Sequence, residues 1–193
     1  MQREQNVASP DAPFGPRAVF SDVYPLNEFY AARHTPLPVI SHIQATEIPE
    51  PYKSLLVHQT DMTSKLEAFH KSKIHIQPLA RHTTDNEYFR EVVLVLERSP
   101  KPVEFGAIKI ILDLFPNEAQ QEILSERSPL GQILTKHKIA FSSRPRAYLR
   151  ISADRFIQSA LNLDTEAFLY GRRNTLIDAW DRPLAEIVEI LPL

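Results

Sequence analysis

Two ten-residue runs, YFREVVLVLE (88–97) and VEFGAIKIIL (103–112), joined through Ser99-Pro100-Lys101-Pro102, constrain the fold of this chain more than any other feature. Both are rich in β-branched and aromatic residues. So short a connection returns the second strand antiparallel to the first, because parallel neighbours need a crossover of about a dozen residues or more. KIHIQPLA (73–80) alternates in the same way and meets the first run through the polar turn HTTDNE (82–87). AYLRI (147–151), FLYGRRNTLIDAW (168–180) and LAEIVEIL (184–191) add strands, the last two joined at Asp181-Arg182-Pro183. Helical signals lie between them. Asp61, Thr63 and Ser64 can each cap a helix carrying Met62, Leu66 and Phe69 on one face, and Ser64 with Glu67 has capping-box spacing. Pro116 opens a helix with Ala119, Ile123 and Leu124, Pro129 stands at the first helical position of PLGQIL, and RFIQSAL (155–161) is a further helix. Short helices among hairpin-connected strands predict an α+β domain, with a mainly antiparallel sheet and the helices gathered on one face.

Eight of the sixteen prolines precede Tyr52, in a segment with three Arg and six Asp or Glu. Residues 1–16 are expected to be flexible and 17–52 to form an arm packed on the domain surface, with disorder throughout as the competing expectation. The boundary is drawn so that 1–47 form a proline-rich N-terminal extension and 48–193 the main domain. An acidic, proline-broken segment does not suit a helix-turn-helix.

Composition removes several chemistries. Lys and Arg number 22 against 24 Asp and Glu, for a net charge of −2, so no global basic field invites nucleic acid. No cysteine is present, which excludes disulfides and thiolate metal sites. Gly15, Gly106, Gly131 and Gly171 lie too far apart for a glycine-rich phosphate loop. The seven histidines form no HxH or HExxH pattern, so neither a metal nor a cofactor is expected. No apolar run approaches the ~18 residues of a membrane span. The opening MQREQNVASP lacks the apolar stretch of a secretory signal, which predicts a cytoplasmic protein.

Residues that break the alternation are the candidates for function. Arg90 is the only charge on the face Tyr88, Arg90, Val92, Leu94, Leu96, and a guanidinium there needs a carboxylate or several carbonyls. That partner is either a structural acid or a ligand. The final strand is apolar on both faces, each carrying one carboxylate, Glu186 on one and Glu189 on the other. Such a group either bonds a ligand, works as acid or base, or neutralises Arg90. Helix starts at 61–63 and at Ser128-Pro129-Leu130-Gly131 offer backbone N–H donors. Together with Arg90 around one cavity they would suit a small dianionic organic acid. Gly171 inside a strand predicts a bulge or a close backbone approach. Alternation sends Arg172 and Arg173 to opposite faces, so without a bulge at most one enters a shared cavity.

Five segments, DMTSKLEAFH, YFREVVL, SPLGQIL, LYGRRNTL and RPLAEIVEILP, taken in order, resemble the chorismate lyase family, in its longer mycobacterial and cyanobacterial-type branch. The resemblance runs from about Ile48 to Leu193. It implies an antiparallel sheet with helices over one side, a ligand cavity closed from solvent, and cofactor-free cleavage of chorismate into 4-hydroxybenzoate and pyruvate. It further implies that Met62 and Leu130 contribute backbone amides, that Arg90 anchors a carboxylate, and that Glu189 rather than Glu186 is the final-strand acid, with Arg90 and Glu189 as the catalytic pair. The chain departs from the shorter branch in residues 1–47 and in a longer 135–165 connection. Losing the C4 hydrogen and the C3 ether makes the chorismate ring aromatic, so orientation and charge placement suffice. A cyclic transfer needs no protein base, whereas a stepwise elimination uses one. Two other expectations stay open: a non-catalytic small-molecule-binding module like the effector domains of GntR-type regulators, which share this fold, and an enzyme acting on another aromatic or carrier-bound acid.

Overall fold

Seven strands, β1 (Val39–Ile43), β2 (Ile74–Thr83), β3 (Glu87–Leu96), β4 (Pro102–Ile111), β5 (Ser142–Ser152), β6 (Phe168–Ile177) and β7 (Pro183–Leu191), form one sheet. Their order is β1-β5-β6-β7-β4-β3-β2, and every neighbouring pair is antiparallel. This computed structural model describes residues 22–165 and 168–192, so the stretch 1–16 lies outside the described residues. β2, β3 and β4 follow one another as hairpins, as the short polar and proline-bearing connections require. β7, apolar on both faces, takes the central place between β6 and β4 and so joins the N-terminal and C-terminal halves of the sheet.

The helices do not gather on one face as expected: the sheet is apolar on both sides, and helices cover both. On one side Phe89, Val93 and Val95 of β3, Phe105 and Ala107 of β4, and Val188 and Ile190 of β7 pack against two helices, α1 (Leu26–Ala32) and α6 (Arg155–Ala160). α1 belongs to the proline-rich segment, and it buries Leu26, Phe29 and Tyr30 together with the preceding Tyr24. Each such side chain contributes roughly 1.5–3 kcal/mol on burial. Arg33, just past α1, meets the buried Glu91 of β3 with two bonds of 2.6 and 3.0 Å. The other four helices, α2 (Tyr52–Leu56), α3 (Met62–His70), α4 (Asn117–Leu124) and α5 (Leu130–Lys136), gather on the opposite face. α4 and α5 cover Ile108, Ile110 and Ile187, while α2 and α3 cover Ile74, Val92 and Leu94.

Gly171 makes a close approach rather than a bulge. It pairs with Ile190 without a register shift, and a Cβ there would run into the backbone carbonyl of Glu189. The uninterrupted register keeps Arg172 and Arg173 on opposite faces.

Candidate functional site

The four-helix face holds a cavity whose floor is set by strand register. Arg90 of β3 lies in a row with Ile108 of β4, Ile187 of β7 and Asn174 of β6. The next row on this face is Val92, Gly106, Glu189 and Arg172, and Glu104 stands beside Leu94 in the row after. Gly106 has no side chain, so the middle of the floor is hollow. The starts of α3 and α5 form the roof through Met62, Thr63, Pro129, Leu130 and Gly131. The cavity has a volume of about 60 Å³. Met62, Arg90, Leu130 and Glu189 all line it. Glu186 points to the other face, where it accepts from Arg173 Nη2 at 3.1 Å and Thr175 Oγ1 at 2.9 Å.

The two helix starts abut each other. Asp61 caps α3, its Oδ1 accepting from Ser64 N at 2.8 Å. No Ser64–Glu67 capping box forms, because the N-cap is Asp61 and Ser64 is the third helical residue; Glu67 instead accepts from Lys73 Nζ at 2.7 Å, Gln132 Nε2 at 2.9 Å and Ile74 N at 3.2 Å. Pro129 precedes α5 as its N-cap instead of opening it, and has no side-chain acceptor to offer. Contact between the starts requires Gly131, since a Cβ there would sit 2.5 Å from Asp61 Oδ1 and 3.2 Å from Thr63 Oγ1. Gly131→Ala is therefore expected to destabilise the fold by about 1–3 kcal/mol through overpacking. A thermal melt reads this directly, and an unchanged midpoint would contradict the close approach.

Arg90 has no carboxylate partner. The side chain is buried, with 2% of the residue exposed. Nη1 reaches only the Ile123 carbonyl at the end of α4, at 3.5 Å, and Nε has no partner at all. The nearest acid, Glu126, is engaged by the Tyr88 hydroxyl and by Arg81 Nη1 at 2.8 Å. Burial lowers the Arg90 pKa, with Tyr88 and Glu126 opposing the shift. Even so lowered, a guanidinium stays charged.

Glu104 and Glu189, which line the cavity beside Asp61, share one cation, Arg172, standing next to it. Arg172, fully buried, bonds Glu189 through Nε and donates from Nη1 to the carbonyls of His58 at 3.0 Å and Leu56 at 3.1 Å. The carbonyl bonds tie the α2–α3 connection to the floor. Burial, then the Arg172 charge, depress the His58 pKa to about 4, so its ring is neutral. Glu104 is pushed well above the usual carboxylate range, by burial first and then by the neighbouring Glu189, against which Arg172 pulls only partly. Its Oε2 has no partner. Asn174, also on the wall, trades hydrogen bonds with Ser143 at 3.0 and 3.1 Å.

Sequence reasoning passed over Glu104 and left Arg172 without a role. The available signal was parity: Glu104, Gly106 and Ile108 alternate onto one face, and a carboxylate in so apolar a strand resembles Arg90 in its own. Among the described residues no group of three or more metal-ligating side chains occurs, and no helix is long and apolar enough to cross a membrane.

No protein-family model and no curated protein sequence matches the chain. Solved structures do. PhnF from Mycobacterium smegmatis superposes with a TM-score of 0.54 at 13% identity, over 70% of this chain and 65% of that one. The chain thus spans about two thirds of that protein's length. The effector domain of PhnF superposes at 0.52, also with 13% identity, over 68% of this chain and 88% of the domain. A GntR-family transcriptional regulator from Bacillus cereus aligns less well, at 0.45 and 14% identity over 62% and 92% of the two chains. The antiparallel sheet with its covering helices is the fold of the PhnF effector domain.

Proposed function

We propose that the chain binds a small organic acid in the cavity between the sheet and the starts of α3 and α5, with the carboxylate on Arg90. The observation that carries this reading is a buried guanidinium that lines a cavity and has no carboxylate of its own. Such a charge is costly without a counter-ion, and a bound carboxylate supplies one with charge-assisted hydrogen bonds. The fold shared with the PhnF effector domain supports a binding role.

A second reading is favoured by the convergence of Met62, Arg90, Leu130 and Glu189 on this one cavity: cleavage of chorismate to 4-hydroxybenzoate and pyruvate. Arg90 would hold a carboxylate, the Leu130 amide would add a donor, and Glu189, kept in place by Arg172, would accept from the 4-hydroxyl. The ring C4–H and C3–O bonds break, the hydrogen passes to the enolpyruvyl methylene, and pyruvate leaves as the ring becomes aromatic. The protein's part is orientation and charge placement.

One experiment separates the readings. The protein is incubated with chorismate while both products are followed, and titrated calorimetrically with chorismate and 4-hydroxybenzoate. Matched release of pyruvate and 4-hydroxybenzoate, reduced about a hundredfold or more in kcat/KM by Arg90→Ala, supports the lyase. Saturable binding without turnover supports the binding module. Absence of binding to either acid by the folded protein overturns both.

A further inference from the structure

We propose that Glu104 is a specificity-determining residue of this cavity: its unpartnered carboxyl oxygen hydrogen-bonds a ligand oxygen remote from the carboxylate, so that the site prefers a hydroxylated acid to the unsubstituted one. The inference rests on the acid-binding reading above and assigns the other end of the ligand.

Position comes from the strands. Arg90 pairs with Ile108, and Glu104 lies four residues along β4 from Ile108, about 14 Å away at the rise of an extended strand. Between them the floor is Gly106, which carries no side chain of its own. Glu104 Oε1 leans over that glycine, 3.0 Å from where its Cβ would be, and Oε2 is buried without a partner. The residue is 5% exposed and lines the cavity, so the unsatisfied oxygen belongs to a binding surface and not to a solvated rim.

Charge decides what that oxygen carries. Glu104 and Glu189 adjoin, and the one cation beside them, Arg172, already bonds Glu189 and two backbone carbonyls. A second carboxylate ion in this dry corner would oppose the first with no cation of its own, so the proton stays on Glu104. A neutral carboxyl next to an ionised one presents a donor and an acceptor side by side. A hydroxyl matches that pair, accepting from Glu104 while donating to Glu189. An anionic group meets Glu189 with the wrong sign. Arg90 is the only cation lining the cavity whose charge is not already matched, so the ligand class is a monocarboxylate carrying a hydroxyl on the far side of its ring.

The test is a calorimetric titration with benzoate, 3-hydroxybenzoate and 4-hydroxybenzoate. The wild-type protein should bind 4-hydroxybenzoate about tenfold more tightly than benzoate. Glu104→Gln, which keeps a neutral donor, should retain the preference. Glu104→Leu, which keeps only bulk, should bring the ratio of affinities to about one. Equal affinities in the wild-type protein overturn the proposal without touching the acid-binding reading, provided that Arg90→Ala weakens both acids together. Loss of the preference in Glu104→Gln also overturns it, since a purely structural role would not distinguish the ligands. Failure of all three acids to bind the folded wild-type protein overturns the acid-binding reading, and this proposal with it. Should Glu104→Leu not fold, the wild-type ratio and the Gln variant decide the matter.

Discussion

Arg90→Met is expected to melt at a higher temperature than the wild-type protein while losing its ligand. Arg90 is 2% exposed, its one bond is 3.5 Å long, and Nε is orphaned. Desolvating a charge costs several kcal/mol, and here the fold supplies little in return. An unbranched apolar side chain can occupy the same channel, so the empty protein should gain about 1–4 kcal/mol. Binding should move the other way, weakening about a hundredfold or more, because the carboxylate loses its counter-charge. Melts with and without 4-hydroxybenzoate read both effects. The wild-type midpoint rises with ligand, by the equivalent of about 2.7 kcal/mol at a hundred times Kd, and the variant's does not. A lower midpoint for the empty variant would mean that Arg90 serves the fold, and the case for an acid ligand would fall. Stability given up at a binding site is the usual trade between function and folding.

Arg172→Met carries the opposite sign. This arginine is as deeply buried, yet its charge is matched by Glu189 and it satisfies the carbonyls of Leu56 and His58. Removing it leaves Glu189 buried beside Glu104 with no cation and unties the α2–α3 connection. Breaking a buried pair on one side costs about 3–5 kcal/mol. Chemical denaturation should show that loss. The double variant Arg172→Met, Glu189→Met should recover a large part of it, since two well-packed apolar chains then replace an ion pair. No recovery would show that the carbonyl bonds, and not the ion pair, hold this corner together. The two arginines thus make a controlled comparison: equal burial, opposite pairing, opposite effect on stability.

Much of the fold was legible because strand alternation is a local property. The parity of YFREVVLVLE put Arg90 on an apolar face, the parity of LAEIVEIL separated Glu189 from Glu186, and both assignments of face agree with the register. The proline signals for α4 and α5 were read to within a residue, with Pro129 standing outside its helix. Less legible was the segment before Tyr52. The arm expected over 17–52 does pack on the domain from residue 22 on, with Tyr24, Leu26, Phe29 and Tyr30 buried against the sheet face opposite the cavity, but the edge strand Val39–Ile43 carries no signal strong enough to read. Proline count measures local backbone freedom and says nothing of a short helix whose aromatics find a tertiary surface. The Ser64–Glu67 spacing suggests a capping box, but the helix starts three residues earlier at Asp61, and Glu67 takes donors from Lys73, β2 and α5.

Alternation along consecutive residues identifies which side chains interrupt an apolar face, and hence that Arg90 and a final-strand carboxylate need partners. It could not determine which partners they have. Glu104, Glu189 and Arg172 lie on three strands far apart along the chain, and only the β4-β7-β6 order makes them neighbours. That adjacency gave Arg172 to Glu189, pushed the Glu104 carboxyl above the usual carboxylate range and left Arg90 without an acid. The reason is physical: alternation is written in consecutive residues, whereas a buried charge takes its state from whatever the folded chain brings within a few ångströms at low dielectric.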